Sequence, residues 1–481
     1  MSSIRKNFLY NAAYQLLLIL LPLITTPYIS RVLGAERIGV YTYTYTIANY
    51  FMLAAMLGVK NYGNRSVAAV RDDPAQLSRT FWEIYGLQFL CSALALAAYV
   101  VFIFAFETEN QMIFLIQGIY VFSGMMDISW LFFGLEKFKL TVLRNIAVKL
   151  LSLACIFLLV RTTEDLWVYT LIMALGIFFS QGYLWRYVPR YVSWHRPGLR
   201  QMLAHLPAEL TLFIPVIAVS LYKMMDKIML GRMSDYAQVG FYENAEKIIN
   251  IPMGVITALG TVMLPRMANL AAKAQHGESR RYIRNSMLFA VFLASGMTFG
   301  IAGVAEDFVP LFLGEEFRPS ITLLQVLTPT ILFISWANVI RTQYLIPNHK
   351  DRSYIISVLL GAAVNLTINA LLIPRMQAMG AVIGTLCAEA AVCLCQTVMV
   401  RRELEIRQYL VDTLPFLVLG GGMYGLLRLI RPWLPGPLMT VAIQVALGLT
   451  VYCAACAVYM MLCRPNALKG VFQKINRKRG N

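Results

Sequence analysis

Residues 80–106 read TFWEIYGLQFLCSALALAAYVVFIFAF, a continuous apolar stretch that contains one charged residue, Glu83. A helix needs ~20 mostly apolar residues to cross the hydrocarbon core of a bilayer, so this stretch is long enough for one crossing. Lipid offers no partners for backbone N–H and C=O groups, which must therefore be paired inside a helix or a closed barrel. The length and continuity of the stretch favour a membrane-spanning helix.

Similar stretches recur along the whole chain of 481 residues, in which 58% of the residues are hydrophobic and 14% are charged. They predict an all-α polytopic membrane protein with about 14 transmembrane helices, each near the ~20-residue length of a crossing. The predicted spans are 7–33, 36–60, 80–106, 111–134, 139–160, 166–188, 207–231, 236–264, 285–305, 320–346, 353–373, 378–400, 408–430 and 437–462.

The formal net charge of +17 is distributed unevenly among the connections between the spans. Lys and Arg collect in alternate connections, for example in Lys60–Arg79, Arg186–Arg200 and Arg266–Arg284. The intervening connections, such as Glu107–Glu109 and Glu306–Glu316, are acidic. Because cytoplasmic loops of membrane proteins are enriched in Lys and Arg, both termini are predicted to be cytoplasmic.

The same sequence excludes several classes of protein. The connections are too short for a soluble catalytic domain, and we find no nucleophile and base in a spacing that indicates catalysis. Cys453 and Cys456 form a CxxC pair in an apolar helix without a nearby histidine, which is typical of packing residues rather than of a metal site. We therefore predict that the chain is not an enzyme, has no catalytic residue or metal, and binds no nucleic acid.

Two parts of the chain resemble each other in order and spacing. Leu33–Gly34 is followed by Gly39–Tyr41, and Leu230–Gly231 is followed by Gly240–Tyr242. Six predicted spans separate the two copies, an even number, so the halves have the same orientation in the membrane. Parallel repeats of this kind are typical of secondary transporters, whose substrate path lies between the halves.

Each half is predicted to begin with a helix broken by proline, at Pro22 and Pro27 in the first half and at Pro215 in the second. Discontinuous helices in matching positions indicate the substrate path. The predicted domains are an N-terminal six-helix bundle over 1–190, a cytoplasmic amphipathic linker over 191–206, a C-terminal six-helix bundle over 207–402, and two extra helices with a basic cytoplasmic tail over 403–481.

Ionisable residues inside the spans are the candidates for function, because a charge at the bilayer centre costs at least ~2.5–3.5 kcal/mol. The alternative is that they reach the interface or are neutralised by neighbours, as Asp226 can be by Lys223 or Lys227 on the same helical face. Basic residues outnumber acidic ones, which favours an anionic substrate such as a phosphate or pyrophosphate. The predicted substrate-binding cations are Arg31, Arg144, Lys149, Lys223, Lys227, Lys247 and Arg341, and the predicted ion-coupling acids are Asp127, Asp226 and Glu243.

The segment Tyr41–Thr46 reads YTYTYT. Alternation with a period of two is typical of a strand, but the apolar context predicts a helix, on which Tyr41 and Tyr45 share one face. An aromatic belt at the membrane interface explains such tyrosines in the ordinary way. The alternative is that Tyr41 and Tyr45 form a sugar-stacking surface of a substrate-binding cavity.

Seven motifs, in order along the chain, resemble those of Wzx-type oligosaccharide flippases, which belong to the multidrug/oligosaccharidyl-lipid/polysaccharide (MOP) exporter superfamily. The resemblance extends over most of the chain, roughly from Asn7 to Arg401. The motifs are SRVLGAERIGVY at Ser30–Tyr41, FFGLEKFK at Phe132–Lys139, DKIMLG at Asp226–Gly231, GFYENAEKI at Gly240–Ile248, QYLIPNHK at Gln343–Lys350, NLTINALLIP at Asn365–Pro374 and MGAVIGTLCAE at Met379–Glu389.

The resemblance implies a multi-pass flippase in the bacterial cytoplasmic (inner) membrane that serves cell-surface polysaccharide synthesis, such as that of O-antigen. It would move an undecaprenyl-pyrophosphate-type lipid-linked oligosaccharide from the cytoplasmic to the outer leaflet by alternating access. The implied partners are membrane lipid, a polysaccharide polymerase and a chain-length regulator. No cofactor is expected, and a proton or sodium gradient is the candidate driving force.

The resemblance also carries over roles for individual residues. Arg31 would line the central cavity as a cation that faces the phosphate groups. Asp226, Lys227 and Lys247 would lie on helices that border the same cavity.

Two other functions stay open from the sequence alone. Another exporter of the superfamily, either a lipid II flippase or a multidrug exporter, would have the same fold, although an exporter of cationic drugs favours an acidic cavity. A non-transporting scaffold in an envelope-synthesis complex would also span the membrane many times. The repeated proline-broken helices argue against the scaffold.

Overall fold

The structure is a computed structural model that describes residues 2–463, with side chains from Leu20 to Leu462 except those of Pro215 and Tyr222. The predicted basic tail, which includes Lys474 and Arg477–Arg479, lies outside the described residues. Within them the chain forms helices joined by short connections and contains no β-strand. The predicted all-α class is confirmed, and the YTYTYT segment is helical.

The helices are numbered in chain order. They are α1 (Ser2–Met56), α2 (Val59–Val70), α3 (Pro74–Phe106), α4 (Gln111–Phe122), α5 (Ser129–Gly134), α6 (Phe138–Leu159), α7 (Leu166–Trp185), α8 (Leu199–Ala204), α9 (Leu206–Met233), α10 (Tyr236–Ala272), α11 (His276–Leu313), α12 (Pro319–Leu327), α13 (Thr330–Ile340), α14 (Asp351–Met376), α15 (Ala378–Val400), α16 (Ile406–Ile430) and α17 (Pro437–Cys463).

Twelve stretches of the described residues are long and apolar enough to cross a membrane, from Pro74–Phe106 to Pro437–Leu462. Each of them overlaps one predicted span, from the third to the fourteenth. The first predicted span lies in α1 before Gly34, and the second begins in α1 after Gly34 and runs past the end of the helix at Met56. The chain is a multi-pass membrane protein, as the apolar stretches predict.

The break in α1 differs from the predicted one. Pro22 and Pro27 lie inside helical residues, whereas Gly34 has φ 74° and ψ 174° and divides the helix into two parts. A transmembrane helix tolerates proline where neighbouring groups pair the freed carbonyl, but a positive φ with extended ψ is open almost only to glycine. The predicted break at Pro22 and Pro27 is therefore wrong. The side chain of Pro215 lies outside the described residues, and the backbone of α9 is helical throughout.

The first compact unit contains Met1–Glu243 and Asn369–Ala381. Its core is rich in aromatic side chains, and its largest fully buried residue is Trp130. The Gln88 side chain accepts a hydrogen bond from Trp130 Nε1 at 3.0 Å and donates one to the Gly124 carbonyl oxygen at 2.7 Å. These bonds satisfy polar groups that would otherwise be costly to bury.

The second compact unit contains Asn244–Ile368 and Val382–Asn481. In it α11 packs against α16 and α17, the two helices predicted to have no counterpart in the repeat. An ion pair of 2.7 Å between Arg284 and Asp412 joins α11 to α16, and Asp412 is buried. The two extra helices are therefore attached to the rest of this unit by a buried charge pair as well as by apolar packing.

The predicted domain boundaries at 190 and 402 were drawn from the sequence repeat. The two compact units are defined by contacts between residues, which is a different criterion, so the boundaries stay a prediction. In the predicted linker over 191–206, Trp194 is 74% exposed. Trp82 Nε1 of α3 donates a hydrogen bond to the carbonyl oxygen of Ser193 at 2.9 Å. The linker is thus a surface segment that is fixed to α3.

Candidate functional site

Gly39 of α1 and Gly240 of α10 mark a close and reciprocal crossing of the two helices within the first unit. A Cβ atom at Gly39 would lie 1.6 Å from the carbonyl oxygen of Tyr236, and one at Gly240 would lie 2.0 Å from the carbonyl oxygen of Ala35. Each glycine therefore lies against the residue four positions before the other glycine. Small residues allow helices in a membrane to approach this closely. The crossing brings the start of α10 beside the YTYTYT segment.

Four tyrosines from three helices form a surface that we call the tyrosine ladder, defined by Tyr41, Tyr45, Tyr120 and Tyr169. The rings of Tyr41 and Tyr45 are stacked with centroids 5.8 Å apart and planes 8° from parallel, which confirms that the two share one helical face. Tyr169 of α7 meets the Tyr41 ring edge-on at 4.8 Å, and Tyr120 of α4 lies 5.2 Å from the Tyr45 ring. Tyr41 and Tyr45 are half-buried.

Hydrogen bonds connect the tyrosine ladder to α9. The Tyr120 hydroxyl donates to Asn49 Oδ1 at 2.8 Å, and Asn49 Nδ2 lies 3.2 Å from the sulfur of Met224. One residue further along α1, the Tyr50 hydroxyl donates to the carbonyl oxygen of Ser220 at 3.0 Å. The face of α1 that carries the tyrosines is thus held against the helix that carries Asp226.

Asp226 is a buried carboxylate, with 2% of its surface exposed. The Tyr242 hydroxyl donates to its Oδ2 at 2.6 Å, and the Asn369 amide donates to its Oδ1 at 2.5 Å. Burying a charge is costly unless hydrogen bonds or an opposite charge compensate for it. The two donors come from α10 and α14, so Asp226 joins three helices at one point.

Lys227, the residue after Asp226, forms an ion pair with Glu243 at 2.6 Å. The sequence offers Lys223 or Lys227 as the partner of Asp226, and this pairing stays a prediction beside the contact of Lys227 with Glu243. Glu243 lies on α10, the helix that crosses α1 at Gly39 and Gly240. We call the tyrosine ladder together with Asn49, Tyr50, Asp226, Lys227, Tyr242, Glu243 and Asn369 the polar cluster.

A second ionic contact fixes the end of α9. Glu107 directly follows α3 and is 4% exposed, and it pairs with Arg232. The Tyr43 hydroxyl donates to the same Glu107 oxygen at 3.2 Å, and the Arg232 guanidinium lies 5.8 Å from the centre of the Tyr43 ring. Burial raises the pKa of Glu107, while Arg232 and Tyr43 act in the opposite direction. The contact joins α1, α3 and α9 where two of these helices end.

Two of the predicted site residues have their contacts elsewhere in the first unit. Asp127 is fully buried, accepts a hydrogen bond from the backbone N–H of Ser129 at 3.0 Å, and lies 3.4 Å from Lys60. Arg144 donates to the carbonyl oxygen of Ser180 at 2.8 Å and faces a separate cavity beside α6. The contacts of Asp127 stabilise the bend after α4, and its role in ion coupling stays a prediction.

The remaining predicted cations are distributed over both units. Arg31 and Lys223 are exposed, and Lys149 and Lys247 are half-buried. Arg341 belongs to the second unit, where it donates to Asn338 at 2.7 Å. Their roles as substrate-binding residues stay predictions.

Six members of the polar cluster are not predicted from the sequence, namely Asn49, Tyr50, Tyr120, Tyr169, Tyr242 and Asn369. Each is a polar side chain within an apolar span, and this signal alone does not distinguish them from other such residues. Tyr242 and Asn369 do lie in motifs that carry the resemblance. Their hydrogen bonds to Asp226 come from two other helices, and Asn369 lies 143 residues from Asp226 in the sequence.

A multi-pass helical fold with a cluster of tyrosines, amides and paired charges inside its spans defines a membrane transporter. Ionisable residues at such depth face a cavity or a partner and mark substrate or ion paths. The chain belongs to the polysaccharide biosynthesis protein family, whose family model matches residues 4–271. A second family model, that of the lipid II flippase MurJ, matches residues 167–444. The predicted membership in the MOP superfamily, with a Wzx-type flippase as the relative, is confirmed.

Two similar proteins carry the name "Putative O-antigen transporter". The one from Shigella dysenteriae is 24% identical over 380 residues, which cover 78% of this chain and 94% of that protein. The one from Escherichia coli K12 is 22% identical over 413 residues, which cover 83% of this chain and 97% of that protein. The likeness therefore extends over nearly the full length of both relatives.

A solved structure has the same fold. It is described as the lipid II flippase MurJ in an inward closed conformation, and it superposes with a TM-score of 0.75 over 94% of this chain and 99% of that one. The sequences are 10% identical, so the likeness concerns the fold alone.

Proposed function

We propose that the chain is a flippase that moves polyprenyl-pyrophosphate-linked oligosaccharide from the cytoplasmic to the outer leaflet for the synthesis of cell-surface polysaccharide. The observation that carries the proposal is the near full-length similarity to two proteins named as O-antigen transporters. Alternating access would move the saccharide through an aqueous path while the lipid tail stays in the bilayer. No covalent chemistry is needed for this transfer.

The tyrosine ladder supports a saccharide cargo. Aromatic faces offer large, rigid contact areas, and tyrosine hydroxyls add hydrogen-bond donors and acceptors. Tyr41 and Tyr45 are half-buried, and their rings are stacked in parallel. This geometry favours sugar stacking as the role of the YTYTYT segment.

The cations supply contacts for the pyrophosphate in this proposal. Lys227 is neutralised by Glu243 in the present conformation, so a diphosphate would compete with Glu243 for the ammonium group. Arg31 and Lys223 are exposed on the helices that contribute to the polar cluster. We assign them to initial contact with the diphosphate, and Lys149, Lys247 and Arg341 to contacts in other conformations.

Asp226 is the proposed coupling carboxylate. It is buried, and its two donors lie on different helices, so protonation or a bound sodium ion would change contacts between α9, α10 and α14. Such a residue can link ion binding to movement of helices. Glu243 would contribute by releasing Lys227 when the cargo arrives.

We further propose that the protein lies in a bacterial cytoplasmic membrane with both termini in the cytoplasm. The alternating basic and acidic connections support this orientation. The undecaprenyl-pyrophosphate-type lipid, the polysaccharide polymerase and the chain-length regulator belong to the same proposal.

A lipid II flippase is the second candidate. The match of residues 167–444 to the MurJ family model favours it, as does the shared fold. The two candidates differ in the sugar that the polar cluster would receive.

Deletion of the gene followed by analysis of lipid-linked sugars tests the main proposal. We expect one polyprenyl-linked oligosaccharide to accumulate on the cytoplasmic leaflet while the surface glycan disappears. Expression of the chain in Escherichia coli strains that lack either the O-antigen transporter or MurJ would distinguish the two candidates. Rescue of MurJ loss alone would favour the second candidate, and unchanged lipid pools with unchanged surface glycan would contradict both.

A further inference from the structure

The helices α6 and α7 enclose a cavity of about 650 Å³ within the first unit. On the α7 side the lining residues Phe179, Tyr183, Tyr187 and Tyr191 follow one another in steps of four. Within α7, which ends at Trp185, Phe179 and Tyr183 are four residues apart and share one face of the helix. Tyr187 and Tyr191 follow the end of the helix, and together the four residues make this side of the cavity aromatic. None of these residues belongs to the polar cluster.

The cavity changes from basic to apolar along its length. Lys137 and Lys139 lie at the start of α6, and Val148 lies roughly 15 Å further along the helix axis. Between them the lining includes Leu140 and Ala147, and among its described lining residues there is no carboxylate. The cavity therefore has the charge pattern of an amphiphile with an anionic head and an apolar tail.

The cations at the mouth are positioned by their neighbours. The Lys137 ammonium lies 5.7 Å from the centre of the Tyr191 ring. Arg144 lines the cavity one turn beyond Leu140, but it is buried and its guanidinium donates to Asn145, to the carbonyl oxygen of Ser180 and to Gln181, so the two lysines are the cations of the mouth. The adjacent Glu136 pairs with Arg71 at 2.7 Å, so this carboxylate does not neutralise the mouth.

The cavity opens on a surface that faces lipid. Leu143, Phe179 and Tyr183 all line it, and they are 45%, 62% and 46% exposed. Exposed apolar side chains on a membrane-spanning helix contact acyl chains. The Tyr183 and Tyr187 hydroxyls lie 2.8 Å apart, in the position that tyrosine takes near lipid headgroups.

We propose that this cavity is a binding site for an anionic phospholipid of the cytoplasmic leaflet. The phosphate binds at Lys137 and Lys139, and one acyl chain lies along α6 between Leu143 and Phe179. Basic cavities between transmembrane helices on the cytoplasmic side bind anionic headgroups. The site is separate from the polar cluster, and its assignment to the cytoplasmic leaflet rests on the proposed orientation of the chain, not on the identity of the cargo.

The lipid, rather than a soluble phosphate, fits because the apolar part of the cavity would stay empty around a free anion. Both sources share the phosphate chemistry, so the experiment includes both. The purified full-length chain is titrated with phosphatidylglycerol, with phosphatidylcholine of the same acyl chains, and with inorganic phosphate, and binding is measured by native mass spectrometry and by tryptophan fluorescence.

We expect phosphatidylglycerol to bind more tightly than phosphatidylcholine, and inorganic phosphate not to compete. Since each lysine near the surface contributes a factor of about five, the double variant Lys137→Gln/Lys139→Gln should bind phosphatidylglycerol more than ~10-fold more weakly. A control pair with the same charge loss, Lys273→Gln/Arg281→Gln, lies on exposed residues outside the cavity and should bind as the wild type does. Ala147→Phe, at an exposed position, fills the apolar part and should weaken binding without any change of charge.

Three results would overturn the proposal. Equal binding of the double variant and the control pair would mean that the charge effect is general. Displacement of the lipid by inorganic phosphate at similar concentration would assign the site to a free anion. Preferential capture of a polyprenyl pyrophosphate over phosphatidylglycerol would make the cavity part of the cargo path.

Discussion

Replacing Gly39 by alanine tests the close crossing of α1 and α10. The added Cβ atom would lie 1.6 Å from the carbonyl oxygen of Tyr236, far inside van der Waals contact. The opposing atom is backbone, which cannot move away by a change of rotamer. The two helices must therefore separate by roughly 1.5–2 Å to restore an ordinary contact distance.

The free-energy cost of this separation can be compared with the cost of placing an extra methyl group in a packed protein interior. Forcing an extra methyl group into a well-packed site costs about 1–3 kcal/mol, and more where the backbone must shift. Alanine is otherwise favoured over glycine in a helix by up to ~1 kcal/mol, which acts in the opposite direction. Because the opposing atom is backbone, the gross cost lies at the upper end of this range, and subtracting the propensity gain leaves a net destabilisation of about 2 kcal/mol. Gly240→Ala should be similar, because its Cβ atom would lie 2.0 Å from the carbonyl oxygen of Ala35.

The melting temperature of the purified chain in detergent provides the measurement. Gly118→Ala is the matched control, because its Cβ atom would meet the Tyr99 ring at 3.6 Å, an ordinary contact. We expect Gly39→Ala to melt clearly below the wild type and Gly118→Ala to melt at or above it. If Gly39→Ala melts with the wild type, the two helices do not cross at this distance and the geometry of the polar cluster must be redrawn.

Four further predictions concern single positions. Gly34→Ala should cost ~1–3 kcal/mol, because alanine must adopt φ 74° there, and an unchanged melting temperature would contradict this. Asp226→Asn should fold yet abolish flipping in proteoliposomes, and an active Asp226→Asn variant would exclude Asp226 from coupling. Asp226→Ala should also lose ~1–3 kcal/mol of stability, because it removes the acceptor of two buried hydrogen bonds. Lys350 lowers the pKa of Glu403, so the pair stabilises the chain above about pH 4.3, and this stabilisation is lost as the pH falls through the lowered pKa of the folded state. Glu403→Gln should therefore make the free energy of unfolding less dependent on pH in the acid range. An equal acid dependence in wild type and variant would contradict this. Arg31→Ala should impair export far more than Arg31→Lys, and equal export by wild type and both variants would exclude a phosphate contact.

The helices and their order could be predicted from hydropathy because the length of an apolar run is a local property. The faces by which helices meet are not local. Asn369, a hydrogen-bond donor to Asp226, lies 143 residues away in the sequence, and nothing near Asp226 indicates it. Spacing suggests only partners on the same helix, which is why Lys223 and Lys227 were the available candidates.

The bend in α1 was missed for a related reason. Proline is a visible signal of a break, and the sequence shows Pro22 and Pro27 in the first span. A glycine at a positive φ gives no comparable signal, since many glycines in helices are there for close packing. Gly34 is distinguished only by its backbone angles. For Arg144, the sequence shows that a charged residue lies within a predicted span, but it does not show which neighbouring helix the side chain contacts.

The crossing at Gly39 and Gly240 also limits which second-site mutations can suppress a substitution at either glycine. In most packed contacts, a large residue on one side can be accommodated by a smaller one on the other. Here the opposing atoms are carbonyl oxygens of Tyr236 and Ala35, which every amino acid carries. No substitution at either of those positions can create the missing space. Selection for suppressors of Gly39→Ala should therefore yield true revertants or changes at a distance, and none at the residues in contact.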